Sequence, residues 1–260
     1  MTKRVGDLSI GQDGFVSVIT IHRPPNNYIS RRLIDDLGQV LADLDEAAQT
    51  RAILLLAEGK NFCAGAQHDP DDPETLAPDT HDEEGRYAAV ARLFSSRKPI
   101  VAAIQGAVVG AGFGMCMLAD FRIAAPNARF SANFVKIGFC PGFGLTYTLP
   151  RAIGVQRATF MFQTGRRFTA DEVAPWGLVD GIAPLETLPE AAMALAQELA
   201  GNAPLGMAAT RGRLRDEVAA GVLASIRIDS PEQTRLRLTE DHLEGVIAYR
   251  DRRPAVFSGR

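Results

Sequence analysis

Apolar positions recur along this chain with two different periods. Phe15–Ile21 (FVSVITI) alternates and is β-branched, the pattern of a strand. His22-Arg23-Pro24-Pro25-Asn26-Asn27 breaks it. The spacing then lengthens. Leu33, Ile34, Leu37, Val40, Leu41 and Leu44 fall on one face of a helix, and Ser30 is placed to cap it. Arg51–Ala57 (RAILLLA) is a short continuous apolar run, as in a buried strand, and Glu58-Gly59-Lys60 ends it. Strand, helix, strand in this order predict a sheet with helical crossovers.

The 20 residues Ile100–Ala119 carry no charge and divide into three parts. Ile100–Ile104 reads as a buried strand, Gly106–Gly112 as a tight glycine-rich turn, and Phe113–Leu118 as a helix apolar on every side. Such a junction leaves free backbone N–H groups at the helix start, which favour negative charge. Gly106, Gly110 and Gly114 repeat the GxxxG spacing of membrane helices. The Gly and Ala content, Gln105 and the surrounding α/β pattern argue against a membrane span. Asn61–His68 (NFCAGAQH) follows its own strand in the same way. Two such strand ends can each aim one N–H at a common point, which is what an oxyanion hole requires.

Asp69–Glu84 holds eight acidic residues and three prolines without an apolar period, so it reads as a surface loop or lid. Calcium-loop spacing and the turn glycine are missing from it. Tyr87–Phe94 resumes a helix, and FRIAA after Asp120 is another strand. Val135–Gly144 is a loop rich in glycine and aromatic residues. Thr169-Ala170-Asp171-Glu172 is a capping box. From Leu188 the pattern is helical, with Pro189 suited to a first helical position. Ser230-Pro231-Glu232-Gln233 repeats the cap logic, and a last helix runs through His242 to Arg250. This strand-free tail reads as an assembly arm.

Composition narrows the function classes. The 260 residues suffice for one domain, or for one domain and an appendage. A net charge of −3 without a basic stripe disfavours nucleic acid. Cys63, Cys116 and Cys140 are too few and too scattered for a disulfide framework or a zinc site, so no metal is expected. The N-terminal MTKRVGDLSIGQDG has no signal-peptide core, and a reducing cytoplasm is the expected location.

NFCAGAQ, VVGAGFGMCMLADFRIAA, ARFSANFVKIGFCPGFGLTYTLPRAIG and RRFTADEVAPWGLVD closely resemble the crotonase superfamily, also called enoyl-CoA hydratase/isomerase. Order and spacing hold from about Phe15 to the closing EGVIAYRDRRPAVFSG. The resemblance implies an α/β fold, a crotonase-like spiral of ββα repeats over residues 1–195 that binds acyl-CoA. It also implies a helical C-terminal oligomerisation region, residues 196–260, which forms trimers, often paired into hexamers. The ligand is an acyl-CoA thioester of lipid metabolism. No separate cofactor is needed, because coenzyme A enters with the substrate.

Carried over by position, the family's two oxyanion N–H groups fall on Ala66 and Ala111, the latter where glycine is usual. Arg23 and Tyr28, with Ala64 and Gln67, lie in segments that border the adenosine and pantetheine of coenzyme A. Gly110, Phe134 and Gly142 border the acyl group, with Phe134 as an apolar wall that favours a hydrophobic or aromatic acyl chain. The two carboxylates that family hydratases use fall on Gly114 and Phe134, and the Asp of some isomerases and dehalogenases falls on Gly142. None of these residues can move a proton. His68 reads either as an acid or base beside the thioester or as a solvent-facing loop residue. Tyr87 aligns near a helix position used by some members, or simply packs. Cys140, lacking a basic neighbour in sequence, reads as a small hydrophobe, Tyr147 carries a similar balance, and Asp120 supports the fold. The expectation is an enzyme that isomerises, hydrolyses or decarboxylates an acyl-CoA rather than simply hydrating it. The alternatives are an acyl-CoA-binding protein of the same fold without catalysis and a subunit that serves assembly.

Overall fold

A computed structural model describes residues 2–66 and 83–260. Its main sheet has seven strands. β1 (Lys3–Val5), β2 (Leu8–Asp13) and β3 (Val16–Ile21) form an antiparallel meander. From β3 the order continues in parallel through β4 (Ala52–Ala57), β5 (Ile100–Ile104), β7 (Phe121–Ala124) and β10 (Gly181–Ile182). A second sheet joins β6 (Ala107–Val109) parallel to β8 (Arg129–Ser131) and β8 antiparallel to β9 (Arg167–Thr169).

The continuous apolar run of β4 has a simple cause. Ile53 and Leu55 point into the larger core, while Ala52 and Leu54 point to a second core on the other face. On that second face lies α7 (Leu188–Ala200), which brings Leu188, Ala192, Ala196 and Ala200 against the sheet. The larger core is closed by α1 (Arg31–Glu46) and α2 (Glu83–Leu93). All six apolar positions expected on α1 are buried, and Ser30 Oγ accepts from the Leu33 N–H at 3.2 Å. α3 (Ala111–Cys116) is short and buried in this core from Gly112 onward. α4 (Leu145–Ile153), α5 (Val155–Thr164) and α6 (Ala170–Val173) follow, α6 opening with the expected capping box of Thr169 and Glu172.

Two long elements complete the chain, α8 (Pro204–Arg237) and α9 (Glu240–Asp251). The helix start expected at Ser230 does not exist. α8 runs straight through Pro231. A proline inside a helix forfeits one main-chain hydrogen bond, but Val222 and Ile226 are buried against the core and hold the helix in place. The break comes instead at Leu238, and Thr239 Oγ1 caps α9 by accepting from the His242 N–H at 3.1 Å. Asp120 ties α8 to the main sheet: its Oδ2 accepts from the Ile100 N–H at 2.8 Å and from Arg211 Nε at 2.8 Å. Among the described residues no helix is long and apolar enough to cross a membrane.

Candidate functional site

The segment after β4 and the turn before α3 are held side by side by main-chain bonds. The Cys63 N–H donates to the Ala107 carbonyl at 3.0 Å, and the Val109 N–H donates to the Cys63 carbonyl at 3.1 Å. On its other side the same segment receives the Ile29 N–H on the Gly65 carbonyl at 2.9 Å. Gly65 (φ +98°) passes so close to the turn that a Cβ there would lie 2.8 Å from the Val109 carbonyl oxygen. That same Cβ would stand 4.0 Å from the Ala111 nitrogen, which fixes how near the two segments come. Gly110 enters α3 at φ 55°, ψ −121°, a region in which side chains are strained. Ala111 itself is helical and has no positive φ, so its methyl group is accommodated and its N–H is kept. Neither the Ala66 nor the Ala111 N–H donates to an acceptor among the described residues.

Both alanines line one cavity of about 260 Å³, together with Ala64, Gly65, Val109 and Gly110. α8 supplies a second part of the lining. Ile226, Asp229, Ser230, Gln233, Thr234 and Arg237 recur at three- and four-residue steps and all face the cavity. Tyr249 of α9, Tyr28, and Tyr87 and Val90 of α2 also line it. Sequence reasoning missed the α8 wall. The helical period from Ile226 to Arg237 was the signal for it, but Pro231, taken as a helix start, cut that period in two.

The three positions onto which the sequence resemblance maps carboxylates, Gly114, Phe134 and Gly142, are filled by packing. Phe143, itself at φ 57°, lies over Gly114 so closely that a Cβ there would meet its ring at 2.7 Å. Gln233 does the same at Gly142, where a Cβ would fall 2.6 Å from its Nε2. Nε2 is anchored by donating to the Cys140 carbonyl at 2.9 Å. Phe134 is buried and forms an apolar part of the cavity lining.

One carboxyl does face the cavity among the described residues, that of Asp229. Thr146 Oγ1 donates to its Oδ2 at 2.5 Å. Burial raises this carboxyl above its usual range, and the Thr146 hydrogen bond opposes the rise. Burial likewise raises the Tyr28 phenol. Burial and the nearby Asp229 push the Cys140 thiol up to about 11, so it stays protonated at neutral pH and is a poor nucleophile.

The remaining expected residues are distributed as follows. Ala64 donates its N–H to the Asn26 carbonyl at 2.9 Å and lines the cavity, as do Tyr28, buried Tyr87, Gly110 and Gly142. Arg23 is not part of the lining. It pairs with Asp7 at 2.5 Å and donates to the Tyr28 carbonyl at 2.9 Å, bracing the loop that carries Tyr28. Gln67, His68 and nearly all of the acidic Asp69–Glu84 stretch lie outside the described residues. No cluster of metal-ligating side chains occurs among the described residues.

The enoyl-CoA hydratase/isomerase family model matches residues 11–260. Carnitinyl-CoA dehydratase of Escherichia coli K12 is 29% identical, over 97% of this chain and 98% of its own. A probable enoyl-CoA hydratase of Bacillus subtilis is 31% identical over the same shares of the two chains. Among solved structures, an enoyl-CoA hydratase/isomerase from Pseudoalteromonas atlantica matches with a TM-score of 0.83 at 25% identity, covering 97% of this chain and 100% of that one. Another from Mycobacterium paratuberculosis matches with a TM-score of 0.81 at 26% identity, covering 93% and 97%.

Proposed function

The chain belongs to the enoyl-CoA hydratase/isomerase family, and from that premise we propose that it acts on an acyl-CoA thioester whose carbonyl oxygen is bound by the N–H groups of Ala66 and Ala111. The observation that carries this reading is the convergence of two main-chain segments, each with an undonated N–H, on one cavity. Two preset donors stabilise negative charge as it builds on the thioester oxygen, in an enolate or in a tetrahedral adduct. Their orientation is fixed by the Cys63–Val109 pairing before any ligand arrives, so little reorganisation is needed during reaction.

Hydration of a 2-enoyl thioester calls for groups that position water and exchange protons with it. Gly114 and Phe134 supply neither, and Phe143 fills the space beside Gly114. The reading therefore favours reactions that draw mainly on the oxyanion donors: double-bond isomerisation, thioester hydrolysis or decarboxylation. Loss of the familiar acid–base positions also favours a second reading, a protein that binds the thioester and does not transform it.

A panel of acyl-CoAs that includes crotonyl-CoA, a 3-enoyl-CoA and malonyl-CoA, followed by mass spectrometry, separates these outcomes. We expect a shifted double bond, free coenzyme A or carbon dioxide from one member, and no hydration of crotonyl-CoA. Ala111→Pro then tests the donor directly. A first helical position tolerates proline, so the variant folds while it lacks this one N–H. Its turnover should fall by about 10²–10³-fold. Rapid crotonyl-CoA hydration by the wild type, or undiminished turnover in folded Ala111→Pro, would refute the proposal.

A further inference from the structure

We propose that Asp229 is the catalytic residue that moves the proton on the acyl carbon next to the thioester carbonyl, a role that rests on the thioester reading above. It is the one carboxyl lining the cavity among the described residues, and the Ala66 and Ala111 amides line the same cavity. Thr146 Oγ1 holds its Oδ2 at 2.5 Å, while Oδ1 has no hydrogen-bond partner among the described residues. One oxygen is thus anchored and the other is left uncommitted. The charged neighbours on its own helix are engaged elsewhere: Arg235 Nη2 binds Glu232 at 2.5 Å, and the Arg237 guanidinium lies over the Phe139 ring. From the facing loop, Cys140 Sγ contacts the Asp229 carbonyl at 3.7 Å rather than its carboxyl. Burial makes this carboxyl a stronger base than an exposed one, which narrows its mismatch with a weakly acidic C–H.

The step balances with the groups named. The α-C–H bond breaks and its proton bonds to Oδ1. The electron pair passes to the carbonyl oxygen between the two N–H groups, giving an enolate and a neutral Asp229. Return of the proton to the α-carbon is degenerate. In a β,γ-unsaturated acyl group, its return to the γ-carbon moves the double bond into conjugation with the carbonyl. One acid–base group on one side of the acyl chain suffices for both transfers, and no water has to be activated.

Butyryl-CoA in D₂O tests the assignment, because a saturated acyl group reports α-exchange without further reaction. Wild-type protein should introduce deuterium next to the carbonyl, read as a mass gain. Asp229→Asn preserves shape and an acceptor for Thr146, so it should bind butyryl-CoA as before and lose exchange by about 10²–10⁴-fold. Wild-type exchange rates in folded Asp229→Asn overturn the assignment, as does wild-type protein that binds butyryl-CoA without exchanging it. In both cases the thioester reading survives. Absence of binding by the wild type defeats that reading, and this one with it. If Asp229→Asn does not fold, Asp229→Glu decides: moving the carboxyl by one methylene should alter exchange at unchanged affinity, and an unchanged exchange rate counts against Asp229.

Discussion

Toward the cavity, the wall formed by Ala64–Ala66 and Val109–Ala111 offers main-chain groups, whereas the wall formed by α8 offers side chains. The first is pinned by backbone pairing and by approaches too close for a Cβ at Gly65 and Gly112. The second is a single helical face whose residues meet the core through Val222 and Ile226 and are otherwise set by what they touch in the cavity. Polarising a thioester carbonyl depends on where an N–H points, and any small residue keeps it there. Moving a proton depends on which side chain stands at one position. On the reading proposed above, the two requirements fall on different parts of the chain, and their tolerance to substitution should differ accordingly.

Gly112→Ala should produce the largest effect. Its new methyl group would collide with the Cys63 carbonyl oxygen and lie 2.6 Å from Cys63 Sγ. Overpacking of that kind costs about 3 kcal/mol, visible as a large fall in the thermal unfolding midpoint. On the helix wall Gln233→Ala loses the bond to the Cys140 carbonyl, for about 1 kcal/mol. Equal losses in the two variants would erase the contrast between the walls. Next comes Gly114→Glu, which places a carboxylate where the resemblance to family hydratases implies one. Phe143 stands in the way, so stability should drop by about 2 kcal/mol, and crotonyl-CoA hydration should not appear. Relief by Phe143→Ala in the same chain should restore stability before it restores any chemistry, and circular dichroism melts beside a hydration assay would read both.

The smallest effect concerns pH. His242 of α9 is buried, stacks on Phe139 with ring centroids 4.2 Å apart, and donates from Nδ1 to the Ile137 carbonyl at 2.7 Å. Burial lowers its pKa, while the bond to Ile137 acts in the opposite sense. The unfolded chain therefore binds a proton more readily than the folded one. Stability from this residue is present above about pH 6.5 and is lost as the pH falls toward the lowered folded value. Unfolding midpoints taken from about pH 7.5 to about pH 5.5 should fall, and His242→Phe should flatten that slope. An identical slope in the variant would assign the acid sensitivity to another group.

The strands and α1 were legible because both faces of β3–β5 and one face of α1 are buried, which writes the periods of the sheet and the helix directly into the apolar pattern. The glycine turn before α3 was legible because close approach restricts the residue type. β1 and β2 were not read as strands, since β1 is mostly exposed and LSIGQD carries polar groups on a half-buried pair. The α8 wall escaped for a different reason. Proline is a strong local helix signal, and at Pro231 tertiary packing overrides it. Asp229 escaped with it, because its partner Thr146 lies 83 residues away in sequence and only the docking of α8 beside α4 brings the two together.

Ile226, Asp229, Ser230, Gln233, Thr234 and Arg237 share one short stretch of the gene, far downstream of the alanines they face. A mutational library confined to that stretch would leave the Ala66 and Ala111 amides untouched in every clone, because only a change to proline at one of those two codons deletes either N–H. The α8 face thus acts as an exchangeable cassette: new acids, bases or apolar contacts can be sampled there while the two main-chain donors stay in place.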